Sequence, residues 1–280
     1  MKLSDRVYYR KLHFFFAGKA GTRVMEVYSA LLKGRKNLLV DCGVSYDWPD
    51  VEQLCLEADL EFKDISAIIH THNHADHAGA DAEIQKRTPH VEIWSHSSGK
   101  QWLENKPLQF SIRPVPYFNF LMSDSVKVNR TFEDGEVISD TGYPVEVLYT
   151  PGHSTDSASF YLPEDELLIS GDTVPNIKFL PFYEDVDAIL ASMEKCAAKK
   201  PRYVLSAFNG LWDMEKDGDI FAIAAERVRV VHNTVCQVMD MGGDLNAAAD
   251  AVIRALGINA EPNGLFFTSL SAHIEKYKNS

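Results

Sequence analysis

Four side chains able to bind a metal ion lie within six consecutive positions of the sequence. His72, His74, Asp76 and His77 follow an apolar run that ends at Ile69. Alternate side chains of an extended strand point the same way, so His72 and His74 can aim two imidazoles at one point. A turn after them would direct Asp76 and His77 towards a second point. Clustered imidazole and carboxylate ligands are what borderline metals such as Zn²⁺ require, so the sequence predicts a metal site on this loop.

The pattern His72-x-His74-x-Asp76-His77 resembles the H-x-H-x-D-H signature of the metallo-β-lactamase superfamily. Within that superfamily the chain is similar to the glyoxalase II and lactonase-like metal-dependent hydrolases. The resemblance implies an α/β fold, a four-layer αβ/βα sandwich, with the metal site at the edge where the two sheets meet. It also implies one or two zinc ions as the cofactor, with iron or manganese as alternatives.

Three further segments resemble other motifs of this family. Asp41 follows an apolar strand, and the family's residue at this place supports the metal ligands without binding metal itself. His153 would complete a set of three imidazoles with His72 and His74, which leaves one position open for water, as in catalytic zinc sites. Asp172 follows a second apolar strand, and its two carboxylate oxygens can bridge two metal ions.

One position departs from the family pattern. The family's last histidine lies in a loop of the form Gly-His-Gly, and the best-matched residue here is Phe208. A phenyl ring has no lone pair, so the second metal site keeps only Asp76, His77 and the shared Asp172. We therefore expect a mononuclear or asymmetric site, in which the second position is empty, weakly filled or completed by another residue.

Three residues are candidates to replace the missing ligand. His232 and His273 are the histidines that come after Asp172 in the sequence. Both lie in segments with helical spacing, which favours an ordinary helix residue at each. Asn209 offers an amide oxygen, which is a poor ligand for zinc.

Two apolar segments follow the metal motifs and predict an aromatic wall around the site. Residues 106–123 hold three prolines and four aromatic residues without a clean periodicity, and residues 175–183 are a second apolar loop. Each segment either caps the core or binds an apolar group of a substrate. The candidate substrate contacts are Arg113, Tyr117, Phe118, Phe120, Phe179 and Phe208.

The order of apolar runs predicts the domain organisation. Strands are expected at 7–16, 24–32 and 37–40, and alternating helices and strands after them indicate an α/β layer architecture. From about residue 213 the spacing is helical. We predict a catalytic domain over residues 1–212 and a C-terminal helical extension over residues 213–280, which packs on the core, forms a dimer interface or shapes the pocket.

The amino-acid composition and charge limit the classes of partner that the protein is expected to bind. The net charge of −12 argues against nucleic acid, whose binding depends on Lys and Arg at the phosphates. The run Phe14–Phe16 is too short for a signal-peptide core or a membrane span, so a cytoplasmic protein is expected. The four cysteines are widely spaced and predict neither a disulfide framework nor a Cys₄ zinc site. A small-molecule substrate is expected, and a homodimer is one partner to test.

The leading functional hypothesis is a metal-dependent hydrolase of an ester, thioester, lactone or amide. A bound Zn²⁺ lowers the pKa of its water from roughly 15.7 to about 7. Asp76 would be the catalytic residue that orients the water, takes up its proton or binds a second metal. The alternatives are a mononuclear iron oxygenase of the same fold that acts on a thiol-derived substrate, and a degenerate, non-catalytic binding protein.

Overall fold

A computed structural model of the protein describes residues 1–18, 21–262 and 264–279. The first of its two sheets has six strands in sequence order, antiparallel from β1 to β3 and parallel from β3 to β6. These strands are β1 (Val7–Gly18), β2 (Gly21–Leu32), β3 (Asn37–Val40), β4 (Ile65–Ile69), β5 (Glu92–His96) and β6 (Arg130–Phe132).

The second sheet also has six strands, in the order β12-β11-β10-β9-β8-β7, and only its β10–β11 pair is parallel. These strands are β7 (Val137–Ile138), β8 (Val145–Tyr149), β9 (Ala158–Leu162), β10 (Leu167–Gly171), β11 (Tyr203–Ser206) and β12 (Gly210–Asp213).

Helices cover the outer faces of both sheets. The α-helices are α1 (Trp48–Glu57), α2 (Ala75–Ala78), α3 (Asp81–Arg87), α4 (Lys100–Glu104), α5 (Lys106–Ile112), α6 (Phe118–Leu121), α7 (Val186–Ala197), α8 (Ile220–Asp240), α9 (Leu245–Leu256) and α10 (Gly264–Lys278). Short 3₁₀ turns lie at Phe62–Asp64, Ser97–Gly99 and Pro163–Asp165.

The hydrophobic core has a central layer between the two sheets. Val40 and Trp94 of the first sheet share one buried cluster with Val147, Phe160 and Leu205 of the second. Strand residues alternate between the two faces of a sheet, so the neighbouring positions face the outer helices. The layers are therefore helices, sheet, sheet and helices, and the predicted four-layer αβ/βα sandwich is confirmed.

The C-terminal helices extend the layer outside the second sheet. Ile220 and Val228 of α8 belong to the same buried cluster as Leu168 of β10 and Ile189 of α7. Beyond them, α8, α9 and α10 form a cluster of their own. The predicted boundary after residue 212 falls inside β12, and the division into two domains stays a prediction.

The segment 106–123 differs from its prediction as an irregular loop. It contains α5 and α6, two short helices. The side chain of Asn105 accepts a hydrogen bond from the backbone N–H of Leu108 at 3.1 Å and caps α5, and Pro107 lies in the first turn. An Asn cap followed by proline is a helix-start signal, which the aromatic composition of the segment obscured.

Two further observations bear on the sequence predictions. All four cysteines are free, and Cys42, Cys55 and Cys196 are buried. Within the described residues, no helix combines the length and the apolar character needed to cross a membrane.

Candidate metal centre

The predicted ligands come from three separate connections of the fold. His72, His74, Asp76 and His77 lie in the metal loop, residues 70–80, which follows β4 and contains α2. His153 and Asp172 lie in the second half of the chain, after β8 and β10 respectively. The site is therefore built from both sheets, at the edge where the resemblance places it.

The structure brings five of the six predicted ligands into two overlapping clusters. The donor atoms of His72, His74 and His153 lie within 4.8 Å of one another, and so do those of His72, His77 and Asp172. All five side chains are buried. His72 belongs to both clusters and joins them.

Asp172 lies between the clusters. Its Oδ2 is 3.1 Å from Nε2 of His153 and 3.9 Å from Nε2 of His72. Its Oδ1 is 3.7 Å from Nε2 of His77. One carboxylate oxygen thus faces each cluster, which is the arrangement a bridging ligand needs.

Asp41 fixes the orientation of His77. Its Oδ2 accepts a hydrogen bond from Nδ1 of His77 at 2.8 Å, and both its oxygens accept from the backbone N–H and hydroxyl of Thr71. A proton on Nδ1 leaves the lone pair of His77 on Nε2, which faces Asp172. A residue that orients a metal ligand needs hydrogen bonds of this kind. The supporting role of Asp41 itself stays a prediction.

Two other imidazoles are held in the same way. Nδ1 of His153 donates to the backbone carbonyl of Phe182 at 3.0 Å, and Nδ1 of His72 lies 3.2 Å from the hydroxyl of Thr71. Both rings therefore present Nε2 to the interior of the site.

Three of these inward atoms have no hydrogen-bond partner within the described part of the chain. They are Nε2 of His72, Nε2 of His77 and Oδ1 of Asp172, all of them buried. A buried lone pair without a donor is costly, and these three residues form the second cluster, so an ion there would satisfy all three atoms. An ion in the first cluster would satisfy Nε2 of His72. The donor set of imidazole nitrogens and a carboxylate oxygen fits a divalent metal such as zinc.

The charge states of the first cluster suit metal binding. Burial lowers the pKa of His72, His74 and His153 well below the usual value of 6.5, and the nearby charge of Arg113 acts in the same direction. All three imidazoles are therefore neutral at pH 7, and a neutral imidazole is the form that binds a metal.

The second cluster carries more negative charge. Burial lowers the pKa of His77, but the carboxylates of Asp41 and Asp172 outweigh it and raise the pKa to about 9. Burial raises the pKa of Asp172 to about 7. A cation is thus favoured on this side of the site, either a proton on His77 or a metal ion.

Asp76, the sixth predicted ligand, lies at the border of the second cluster. Its Oδ2 is 3.9 Å from Nε2 of His77, and its side chain is 20% exposed. It is more accessible than the five buried donors, so a substrate or a water molecule can reach its carboxylate.

The residue at the missing ligand position and the three candidates to replace it lie outside both clusters, within the described part of the chain. Phe208 is half-buried against the core outside the first sheet. Asn209 uses its side-chain amide to bind backbone groups and the hydroxyl of Ser206 at 2.9 Å. His273 contacts His232 at 3.3 Å in the C-terminal helices, and within the described residues neither joins a cluster of metal-binding groups.

Three of the residues predicted for the aromatic wall are exposed, and their contact with a substrate stays a prediction. Tyr117, Phe120 and Phe179 are 70%, 60% and 51% exposed. Phe118 is 5% exposed and packs in the core, with its ring centroid 5.3 Å from that of Phe110. The prediction of Phe118 as a substrate contact is therefore corrected to a core residue, because its ring faces inward from the short helix α6.

Arg113, also predicted for the wall, reaches the metal centre itself. Its guanidinium contacts the ring of His74 and its Cζ lies 4.3 Å from the ring centroid of Phe182. A positive charge thus lies against one of the predicted ligands.

Two buried residues at the ends of the metal loop, His70 and Asp81, were not predicted. Nε2 of His70 lies 3.0 Å from Asp81, and Nδ1 lies 3.7 Å from Asp41. Burial lowers the pKa of His70, but these two carboxylates outweigh it and raise the pKa to about 10. Asp81 follows His70 by eleven positions, and no sequence spacing signals such a pair.

Asp156 is a third residue that sequence reasoning missed. Its Oδ2 accepts a hydrogen bond at 2.9 Å from the backbone N–H of Asn73, the residue between two predicted ligands. Asp156 follows His153 by three positions, within the segment already identified as a motif, so a signal was present. It ties the metal loop to the loop that carries His153.

Comparisons with known proteins agree with this geometry. A model of the metallo-β-lactamase superfamily matches residues 22–207. A metallo-β-lactamase family protein of Thermus thermophilus superposes with a TM-score of 0.71 at 19% identity, over 97% of this chain and 93% of that one. A β-lactamase domain protein of Burkholderia ambifaria also gives 0.71, at 15% identity, over 100% of this chain and 87% of that one.

Curated relatives match a shorter part of the chain. A probable hydroxyacylglutathione hydrolase of Schizosaccharomyces pombe is 28% identical over 45% of this chain and 40% of its own length. An atrochrysone carboxyl ACP thioesterase of Aspergillus fumigatus is 30% identical over 50% and 37%. A hydroxyacylglutathione hydrolase of Rhizobium meliloti is 26% identical over 52% and 47%, so these matches span less than half of each relative. On the family match and the fold together, the chain belongs to the metallo-β-lactamase superfamily.

Proposed function

We propose that this chain is a metal-dependent hydrolase of small acyl thioesters. The observation that carries the proposal is the convergence of three neutral, buried imidazoles and one carboxylate whose two oxygens face both clusters. Relatives from three organisms are named as hydroxyacylglutathione hydrolases or as an ACP thioesterase. Acyl groups on glutathione and on an acyl carrier protein are both thioesters, which supports this substrate class over esters, lactones and amides.

His72, His74 and His153 would hold the metal ion, with Asp172 beside it. A divalent metal held there supplies a Lewis acid for the thioester carbonyl and lowers the pKa of water to about 7. The hydrogen bonds from Nδ1 of His153 to Phe182 and from His77 to Asp41 keep the donor atoms turned inward.

Asp76 is the proposed general base. Its carboxylate lies 3.9 Å from His77 and is partly exposed, so it can orient an attacking water and accept its proton. A thiol has a pKa of about 8.5, so a thiolate leaves without a strong general acid. A thioester therefore needs less general-acid catalysis from this site than an amide would.

The metal content follows from Phe208. With a phenyl ring in place of the last histidine, the second cluster has His77, Asp172 and the shared His72, with Asp76 at its border. We propose one firmly bound zinc ion per chain in the first cluster, with a weaker metal position at the second cluster.

The test combines metal analysis with a matched substrate panel. Protein purified without added metal is analysed for its elements, loaded with zinc or iron, and offered a thioester, an ester, a lactone and an amide of the same acyl group. We expect about one zinc per chain and thiol release from the thioester. Asp76→Asn should lower kcat by about 10²-fold or more, the usual size of a general-base effect, with the metal content unchanged.

Other outcomes identify the alternatives. Iron as the resident metal, with oxygen uptake on a thiol-derived substrate, would establish the oxygenase of the same fold. A fully loaded protein that turns over none of the panel and consumes no oxygen would point to a non-catalytic binding protein.

A further inference from the structure

Arg113 is held at the mouth of the metal centre by the helix that precedes it. Its backbone N–H closes the end of α5 on the carbonyl of Gln109 at 3.0 Å. The buried amide of Gln109 in turn contacts the backbone carbonyl of Asn73, between His72 and His74. The helix is thus docked on the metal loop, and the position of Arg113 is set relative to the ligands.

The guanidinium lies between the two ligand-bearing segments. On one side it contacts the ring of His74, and on the other it stacks on Phe182, whose backbone carbonyl holds His153. The residue is half-buried, so one side of the group is open to the mouth.

Within the described residues, no carboxylate lies within 4.0 Å of this guanidinium. By contrast, Arg6, Arg10 and Arg130 each pair with two carboxylates on the surface. Four carboxylates act on the charge of Arg113 from beyond 4.0 Å: Asp76, Glu184, Asp172 and Asp156. Of these, Asp76 and Asp172 face the imidazoles. A partly desolvated guanidinium without a paired anion is costly. Nη1 of Arg113 faces His74, whereas Nε and Nη2 have no hydrogen-bond partner within the described residues and present a planar fork of N–H donors.

We propose that Arg113 binds a carboxylate of the substrate, so that the thioester cleaved by this protein carries a carboxylate near its scissile bond. The inference rests on the proposed hydrolase function and names its substrate class. The guanidinium fork matches a carboxylate in a bidentate, charge-assisted pair. The stacked Phe182 holds the plane of the fork, and the contact with His74 places the bound carboxylate beside the reacting carbonyl.

The first test uses pairs of thioesters in which one member carries a carboxylate and the other a neutral group at the same place. Succinyl and butyryl thioesters of N-acetylcysteamine place the charge on the acyl side, and butyryl thioesters of 3-mercaptopropionate and N-acetylcysteamine place it on the thiol side. Arg113→Gln should lower kcat/KM for the carboxylate-bearing member of one pair by about 10- to 100-fold, mainly through KM, and change the neutral member less than about threefold. Arg113→Lys, which keeps the charge and loses the fork, should fall between.

Arg35→Gln is the matched control, since that side chain binds the backbone carbonyls of Ser139 and Asp140 on the exposed surface. It should leave both members of each pair unchanged. Equal losses on neutral and charged thioesters with Arg113→Gln would overturn the proposal and assign Arg113 to the reaction itself or to the fold.

A binding measurement separates this proposal from the proposed function. Calorimetry with succinate on the zinc-loaded protein should show binding that Arg113→Gln weakens by about tenfold or more. Succinate binding that is unchanged in Arg113→Gln overturns the proposal, because the metal alone then holds the anion. Loss of succinate binding in the variant, in a protein that cleaves no thioester, would keep the anion site and reject the hydrolase.

Discussion

Single residues decide how the metal loop is held, and Asp41 is the clearest case. Its backbone is in the left-handed region with φ of 58°, a conformation that Asp tolerates better than most residues, at the turn after β3. This turn aims one carboxylate at both Thr71 and His77. The motif predicted the residue, whereas the His70–Asp81 pair beneath it could not be predicted, because contacts between a strand end and a distant helix leave no spacing pattern.

Asp47 precedes the first helix but makes a hydrogen bond other than that of a helix cap. An Asp closely followed by proline, as in Asp47-Trp48-Pro49, is a helix-start signal, and α1 does begin at Trp48. The carboxylate of Asp47 instead accepts a hydrogen bond from the backbone N–H of Val44 at 2.9 Å. The side chain is 2% exposed, and burial raises its pKa from 3.8 to about 7.

The stability of the fold should therefore depend on pH through Asp47. The folded protein keeps the proton up to about pH 7, while the unfolded chain loses it near pH 4, so this stabilisation is present below pH 4 and lost as the pH rises through 7. Asp47→Asn cannot ionise and keeps an oxygen for Val44. Its Tm, measured by thermal melts, should match the wild type at pH 4 and exceed it by several degrees at pH 9, at about 1.4 kcal/mol per pKa unit.

The exposed carboxylate of Asp124 provides the control. Its side chain is 78% exposed beside Lys86, so Asp124→Asn should show no growing advantage at high pH. A Tm difference between Asp47→Asn and the wild type that stays flat from pH 4 to 9 would mean that the folded protein ionises Asp47 normally.

At the scale of elements, the connection before α7 ties the metal centre to the C-terminal helices. We call residues 181–185 the strap. Its Phe182 carbonyl holds His153, and the backbone N–H groups of Glu184 and Asp185 donate to the carbonyl of Gly152. On its other side, the strap meets α10 through Tyr183, whose hydroxyl lies 2.7 Å from Nε2 of His273.

The strap explains a role of the extension that the sequence left open. Ser269 of α10 accepts a hydrogen bond from the N–H of Tyr183 and donates one to the carbonyl of Pro181. The helical spacing predicted α10, but nothing in that spacing indicates which connection the helix binds. His273, considered as a metal ligand from sequence, instead contacts Tyr183 of the strap. The neighbouring Phe182 carbonyl contacts the predicted ligand His153.

Tyr183→Phe should therefore weaken metal binding without removing a ligand. The variant keeps the ring and leaves a buried imidazole nitrogen of His273 unsatisfied, which costs about 1–3 kcal/mol of stability. A strap that keeps its two hydrogen bonds to Ser269 but loses the one to His273 holds His153 less firmly. We therefore expect the zinc affinity, measured by competition with a chelator, to fall several-fold.

Tyr277→Phe gives the comparison, because it removes a hydroxyl on the same helix that binds Asp240 at 2.7 Å, away from the strap. This variant should keep the zinc affinity. If Tyr183→Phe lowers only the Tm and binds zinc like the wild type, the strap supports the fold but does not position His153.

For the whole molecule, the fold and the place of the site were predicted mainly from the order of the motifs along the chain. Apolar strands that each end in a ligand or a supporting carboxylate indicated the layers and the place of the site, and the sheets follow that order. The orientation of aromatic rings was less predictable: Phe118 faces the core while Tyr117, its neighbour in sequence, is exposed. Composition shows that the segment is rich in aromatic rings, but a single turn of helix decides which of them face solvent.

The metal centre joins the two halves of the molecule, so removing metal should destabilise the whole fold. His72 comes from the first sheet, and His153 and Asp172 come from the second. An ion that binds only the folded state stabilises it by about 2.7 kcal/mol at a hundred times its Kd, which corresponds to roughly 5–10 °C in Tm. Calorimetry with and without a chelator should show this decrease, and added zinc should reverse it.

Two histidine variants make that measurement specific. His72 belongs to both clusters, so His72→Ala should abolish the effect of the chelator on Tm. His13 is exposed on β1 and lies 3.8 Å from Glu26, so His13→Ala should retain the full effect. A chelator effect that persists in His72→Ala would place the stabilising metal outside the clusters. An effect absent from the wild type would mean that the sheets hold together through their apolar layer alone, with the ligands already in position before the ion binds.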